Sequence, residues 1–104
     1  MSLLAHNVMD ADTGITERYV LFLHGILGSG SNLRTLAKRV CAQRLGLGAV
    51  LVDLRMHGRS QDFSGPHTVA AAAEDVAALV ASLSLPIDSA VAHSFGGKIG
   101  RAHV

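Results

Sequence analysis

The sequence predicts an α/β fold built on a mostly parallel sheet, and three observations carry that expectation. Continuous apolar runs stand at Tyr19–Leu23, Ala49–Val52 and Ala90–Ala92, too short for helices and without the alternation of a strand that has one wet face. Two stretches with helical apolar spacing lie between them. Glycine-rich or polar turns follow each run. Strand, helix, strand, helix, strand in that order is the pattern of successive βαβ units.

Leu3 to Val8 reads as a short first strand, and Asp10-Ala11-Asp12-Thr13-Gly14 is a turn by composition. Tyr19–Leu23 suits a strand covered on both faces. His24 to Asn32 is a glycine-rich loop. Beyond it Leu33, Leu36, Ala37, Val40, Cys41 and Leu45 form one stripe of a helix expected to end near Gly46 or Gly48. Ala49 to Asp53 is the next buried strand, and Leu54 to His67 is a loop punctuated by Gly58, Gly65 and Pro66. Thr68 is a plausible N-cap for a helix whose inward face carries Val69, Ala72, Ala73, Val76, Val80 and Leu83. Pro86 closes that region, and Ser89 to His93 forms a third buried strand.

Composition narrows the function classes. The 104 residues are 49% hydrophobic, 16% charged and 4% aromatic, which excludes a disordered chain and suits one aliphatic core. Nine Lys/Arg against eight Asp/Glu leave a formal charge of +1, so no field favours nucleic acid or an anionic membrane. Cys41 is the single cysteine and is expected to be a buried helix residue. No run approaches the ~18 apolar residues of a membrane span, and Met1–Leu4 lacks the basic start of a signal peptide, so a cytoplasmic location is expected. The six histidines show no ligand spacing with the cysteine, and neither metal nor cofactor is implied.

The chemistry concentrates in loops at the carboxyl ends of the three apolar runs, where open α/β sheets place their sites. Ala92-His93-Ser94-Phe95-Gly96-Gly97 reads small-x-Ser-x-small directly after a strand. A serine exposed on a sharp strand-to-helix turn needs such neighbours, because a bulky Cβ would strike the adjoining backbone. His24-Gly25-Ile26-Leu27-Gly28 can turn backbone N–H groups toward a developing oxyanion, with Ile26, or its neighbour Leu27, and Phe95 the natural donors. A tight strand-to-helix turn is the plainer reading of the same glycines. His24 is expected to orient its loop rather than shuttle protons. His57, Asp53 and Arg55 are expected to hold the geometry of the second loop.

Together these loops resemble the α/β-hydrolase superfamily over roughly Tyr19 to Lys98. His24-Gly25, then Asp53-x-Arg55-x-His57-Gly58-x-Ser60, then His93-Ser94-Phe95-Gly96-Gly97-Lys98 stand in that family's order and spacing. His24-Gly25-Ile26-Leu27-Gly28-Ser29 with Asn32 is similar to a small carboxylesterase subgroup. The resemblance implies Ser94 as nucleophile, an oxyanion hole from Ile26 and Phe95, a supporting loop set of His24, Gly25, His93, Gly96 and Gly97, and a small-molecule ester as substrate. Ala92 departs from the family, which usually has glycine there.

In that family the triad acid and histidine follow the serine in the chain. Only ten residues follow Ser94 and none is acidic, so the expectation is an N-terminal part of the fold truncated after the nucleophile elbow and inactive alone. Residues 1–98 are expected to be hydrolase sequence and 99–104 a non-native tail. Ile99-Gly100-Arg101-Ala102-His103-Val104 is the translation of ATC GGA AGA GCA CAC GTC, a stretch of common sequencing-adapter DNA that runs next into TGA. Two other classes stay open at this stage. Gly25-x-x-Gly28-x-Gly30 with Asp53 imitates a dinucleotide fingerprint, although its spacing is not G-x-G-x-x-G. A non-catalytic binding protein on the same fold is the other.

Overall fold

The computed structural model describes residues 3–25, 28–61, 63–65 and 67–93. Among them the sheet has strands β1 (His6–Met9), β2 (Arg18–Leu23), β3 (Leu47–Val52) and β4 (Ile87–Ala92), laid side by side in the order β1-β3-β2-β4. β2 runs parallel to both β3 and β4, while β1 is antiparallel to β3. A 3-10 turn (Gly30–Leu33) and helix α1 (Arg34–Gln43) connect β2 to β3, and helix α2 (Val69–Leu83) connects β3 to β4.

The chain steps from β2 to β3 and then returns past β2 to β4. Two crossovers of one hand made in opposite directions leave their helices on opposite faces of the sheet. The packing follows. Val20, Phe22, Leu47, Ala49 and Leu51 meet Ala37 and Cys41 of α1 on one face. Leu21, Leu23, Val50, Val52 and Leu54 meet Ala72, Ala73, Val76 and Leu79 of α2 on the other. Alternate residues of each strand therefore serve two different cores, which is why the runs are continuously apolar. Ala72 and Ala73 of α2 are buried in this second core. Thr68 caps it as expected, its Oγ1 accepting from the Ala71 amide at 3.0 Å. Cys41 is buried against the sheet, as anticipated.

Two expectations need correction. β3 starts at Leu47, two residues before the expected Ala49, because Gly48 belongs to the strand. A Cβ there would stand 2.6 Å from the Met9 carbonyl oxygen and 2.8 Å from the Tyr19 ring, so the neighbours fill the space a side chain would need. Leu36 and Leu45, placed on the inward stripe of α1, are 45% and 82% exposed. Leu36 lies about 100° around the helix from Ala37, and Arg44 is already extended, which takes Leu45 off the helix. β4 carries the apolar run of a strand buried in a complete sheet, and in this chain every residue from Asp88 to Ala92 is exposed. Among the described residues it has a sheet neighbour on one side only, and the helices sit over β2 and β3. A groove of about 500 Å³ lies beside it, floored by Val20, Val40 and Leu47.

Candidate active site

The parallel register aligns the strand ends. Leu23 lies opposite Val52 on one side and Ala92 on the other, so His24, Asp53 and His93 leave the sheet at one level. The three loops singled out in the sequence therefore begin as neighbours. His93 completes the pairing, its amide donating to the Leu23 carbonyl at 3.1 Å. Its ring lies against the backbone of Gly25, where a Cβ would come within 2.9 Å of His93 Nδ1. Glycine at 25 is what lets the end of β4 close onto the loop after β2.

His24 is 1% exposed, and both ring nitrogens are engaged. The Leu54 amide donates to Nε2 at 2.9 Å, which requires that nitrogen to be unprotonated. The proton therefore sits on Nδ1, which donates to the Gly25 carbonyl at 2.6 Å. Burial lowers the pKa of this imidazole; the bond to Gly25 opposes the shift and nearby His57 adds to it. His24 is a neutral clamp between two loops, as the sequence led us to expect, and no free nitrogen remains to move a proton.

That clamp has a sign in pH. The lowered folded pKa means that the unfolded chain binds more protons once the pH falls below the ordinary histidine value near 6.5. Stability from His24 is complete above that value and declines on acidification toward its folded pKa. Thermal melts should show a lower Tm at pH 5 than at pH 7, with part of the slope below pH 6.5 removed in His24→Gln. An unchanged slope in that variant would refute the neutral-clamp assignment.

Asp53 joins the same two loops. Its Oδ1 accepts from the Gly30 amide at 2.7 Å, while Oδ2 accepts from the Arg59 amide at 3.0 Å and faces Arg59 Nε at 3.4 Å. Burial pushes this carboxyl upward, but the two amides and the Arg59 charge outweigh it and hold the pKa below the ordinary aspartate value. With its oxygens so engaged, Asp53 is not offered to a ribose, which removes the residue that made the glycine spacing look like a dinucleotide site.

The loop after β3 is tied down at further points. Arg55 forms a two-pronged pair with Asp75 of α2, through Nε at 2.5 Å and Nη2 at 2.9 Å, and lies over the Phe63 ring. Ser60 Oγ donates to the Asp53 carbonyl and accepts from the Ala5 amide. His57 Nδ1 donates to the Arg55 carbonyl at 2.9 Å, and its ring stacks obliquely 5.0 Å from that of His24. Met56 is held at φ +61°, a left-handed conformation costly for a side chain of its kind. The structure thus supports the holding roles expected of Asp53, Arg55 and His57. It adds Ser60 and Asp75, the latter set on a helix twenty residues away with no sequence signal beyond being an acidic residue near the sheet.

Of the anticipated site residues, His24, Gly25 and His93 are brought together as described. Ile26, Ser94, Phe95, Gly96 and Gly97 lie outside the described residues, as does the 99–104 tail. Among the described residues no group of three or more His, Cys, Asp or Glu could hold a metal ion, and no helix is long and apolar enough to cross a membrane.

A family model described as the alpha/beta hydrolase family matches residues 20–104. The chain is 37% identical over 95 residues to the sn-1-specific diacylglycerol lipase ABHD11 of Mus musculus, an alignment covering 91% of this chain and 30% of that protein. It is 30% identical over 95 residues to a probable alcohol acetyltransferase of Saccharomyces cerevisiae, covering 88% of this chain and 27% of that one. A solved marine microorganism esterase superposes with a TM-score of 0.76 at 27% identity, over 97% of this chain and 36% of the esterase. The chain thus spans about a third of the length of the proteins it matches.

Proposed function

Because this chain belongs to the alpha/beta hydrolase family, we propose that it is the nucleophile-bearing part of a serine hydrolase that cleaves small carboxylic esters. One observation carries the reading. His93, the residue before Ser94, is hydrogen-bonded to the end of β2 and lies against Gly25, at the start of the loop assigned to the oxyanion hole. The relatives add support of a general kind, since a lipase, an acetyltransferase and an esterase all handle an acyl group on an alcohol oxygen.

In this mechanism Ser94 Oγ attacks the ester carbonyl carbon while a histidine takes its proton. The Ile26 and Phe95 amides hold the resulting oxyanion. The carbon–oxygen bond to the alcohol then breaks, the histidine returns the proton to the leaving alkoxide, and an acyl-enzyme remains on Ser94. Water, deprotonated by the same histidine, attacks that ester and releases the acid.

A fluorophosphonate probe tests the assignment. In the full-length gene product it should modify Ser94, identified by mass spectrometry of the peptide, and it should leave the 104-residue chain unmodified. An active full-length enzyme labelled elsewhere, or not labelled at all, would refute it.

A further inference from the structure

We propose that Asp53 is a positioning residue for the oxyanion-binding loop, setting the rate of the reaction without touching substrate; this rests on the serine-hydrolase reading above. Its side chain is 9% exposed, and one carboxylate serves two loops, with the Gly30 amide on Oδ1 and the Arg59 amide on Oδ2. Both loops are shaped to admit it. A Cβ at Gly58 would stand 2.6 Å from Oδ2, and one at Gly30 would stand 3.2 Å from Oδ1 and the same distance from the β3 backbone. A side chain at Gly58 would displace the carboxylate, and one at Gly30 would crowd both it and the β3 backbone.

The consequence reaches the chemistry through the loop after β2. That loop has two anchors: His24 holds the Gly25 carbonyl at one end, and Asp53 holds the Gly30 amide at the other. Within it the Gly28 amide donates to the Gly25 carbonyl at 3.1 Å and the Ser29 amide to Asn32 Oδ1 at 2.6 Å, which ties Gly28 and Ser29 to both ends of the loop. Ile26, the proposed oxyanion donor, lies between the anchors in sequence. Releasing Gly30 frees the far end and lets the donor drift from the place where negative charge develops. Misplacement by about 1 Å costs on the order of 10²-fold, and outright loss of such a donor about 10²- to 10³-fold.

The test uses the full-length protein with p-nitrophenyl acetate as substrate and a trifluoromethyl ketone as a mimic of the tetrahedral intermediate. Asp53→Ala should lower kcat about 10- to 100-fold with KM little changed, and should weaken the ketone by the same factor. Asp53→Asn keeps an oxygen for the Gly30 amide but loses the charge and the acceptor that served the Arg59 amide and guanidinium, so kcat and ketone affinity should fall together by only a few-fold. A role confined to stability would lower the folded fraction and leave the ketone affinity of the folded enzyme unchanged, and that result would overturn the proposal. So would wild-type kinetics in Asp53→Ala. If the alanine variant does not fold, the asparagine variant decides: a few-fold parallel fall in kcat and ketone affinity supports positioning, and no change in either refutes it. Ser94→Ala separates the two levels, because activity retained there would refute the serine mechanism whatever Asp53 does.

Discussion

Ser94→Ala in the full-length protein should lower kcat for p-nitrophenyl acetate by about 10⁶-fold with KM little affected, the scale on which removing a serine nucleophile acts. The loss is that large because histidine and oxyanion hole serve an attack that no longer has an attacking atom. Residual rate would come from the oxyanion hole and from binding alone. His57→Ala supplies the contrast. His57 is the histidine in the second loop that invites assignment as a base, yet its Nδ1 is committed to the Arg55 carbonyl and its ring leans on His24. Its removal should cost less than about tenfold, a small change on the barrier scale at 1.4 kcal/mol per decade. Steady-state kinetics on both variants, corrected for folded protein, decide the matter. Comparable losses in the two would overturn the assignment of the nucleophile, as would a Ser94→Ala enzyme that still turns over.

The parts of this molecule that were legible in the sequence are those written in local patterns. Continuous apolar runs announced strands wanted by two cores at once, and the packing of Val20 and Phe22 on one face and Leu21 and Leu23 on the other bears that out. Thr68 announced a helix start because its hydroxyl acts on an amide three residues away. What the sequence hid depends on residues distant along the chain. Gly48 looks like a breaker until Tyr19, Thr16 and the Met9 carbonyl are seen to occupy the volume its side chain would take. β4 looks buried from Ala90-Val91-Ala92, but burial is decided by what covers a strand, and α1 and α2 cover its neighbours. The sequence suggested that Asp53 and Arg55 hold their loop. The partners that make them hold it, Gly30 and Asp75, are 23 and 20 residues away and carry no mark of the connection.

Phe22→Ala should cost about 3 to 5 kcal/mol of stability, a large share of the 5 to 15 kcal/mol typical of a folded protein. Phe22 is 0% exposed, one residue before the end of β2, the strand that carries both parallel pairings. Its cross-strand partners are Leu51 of β3 and Val91 of β4, and its ring packs in the core formed with α1. Truncation leaves a cavity that rigid neighbouring strands cannot close, so the lost transfer energy and the lost packing add. Ile15→Ala, at a side chain 87% exposed, should stay within about 0.5 kcal/mol and provides the control. Urea unfolding of the full-length protein measures both, and a Phe22 variant within 1 kcal/mol of wild type would contradict the two-faced core. The same experiment bears on the site. Leu23, His24 and Gly25 follow Phe22 directly, so slack beside Phe22 passes to the strand end, where the His93 and Leu54 amides must meet their acceptors. A folded Phe22→Ala enzyme should therefore lose more in kcat than in KM, because the loop it loosens matters most when charge develops on the oxyanion.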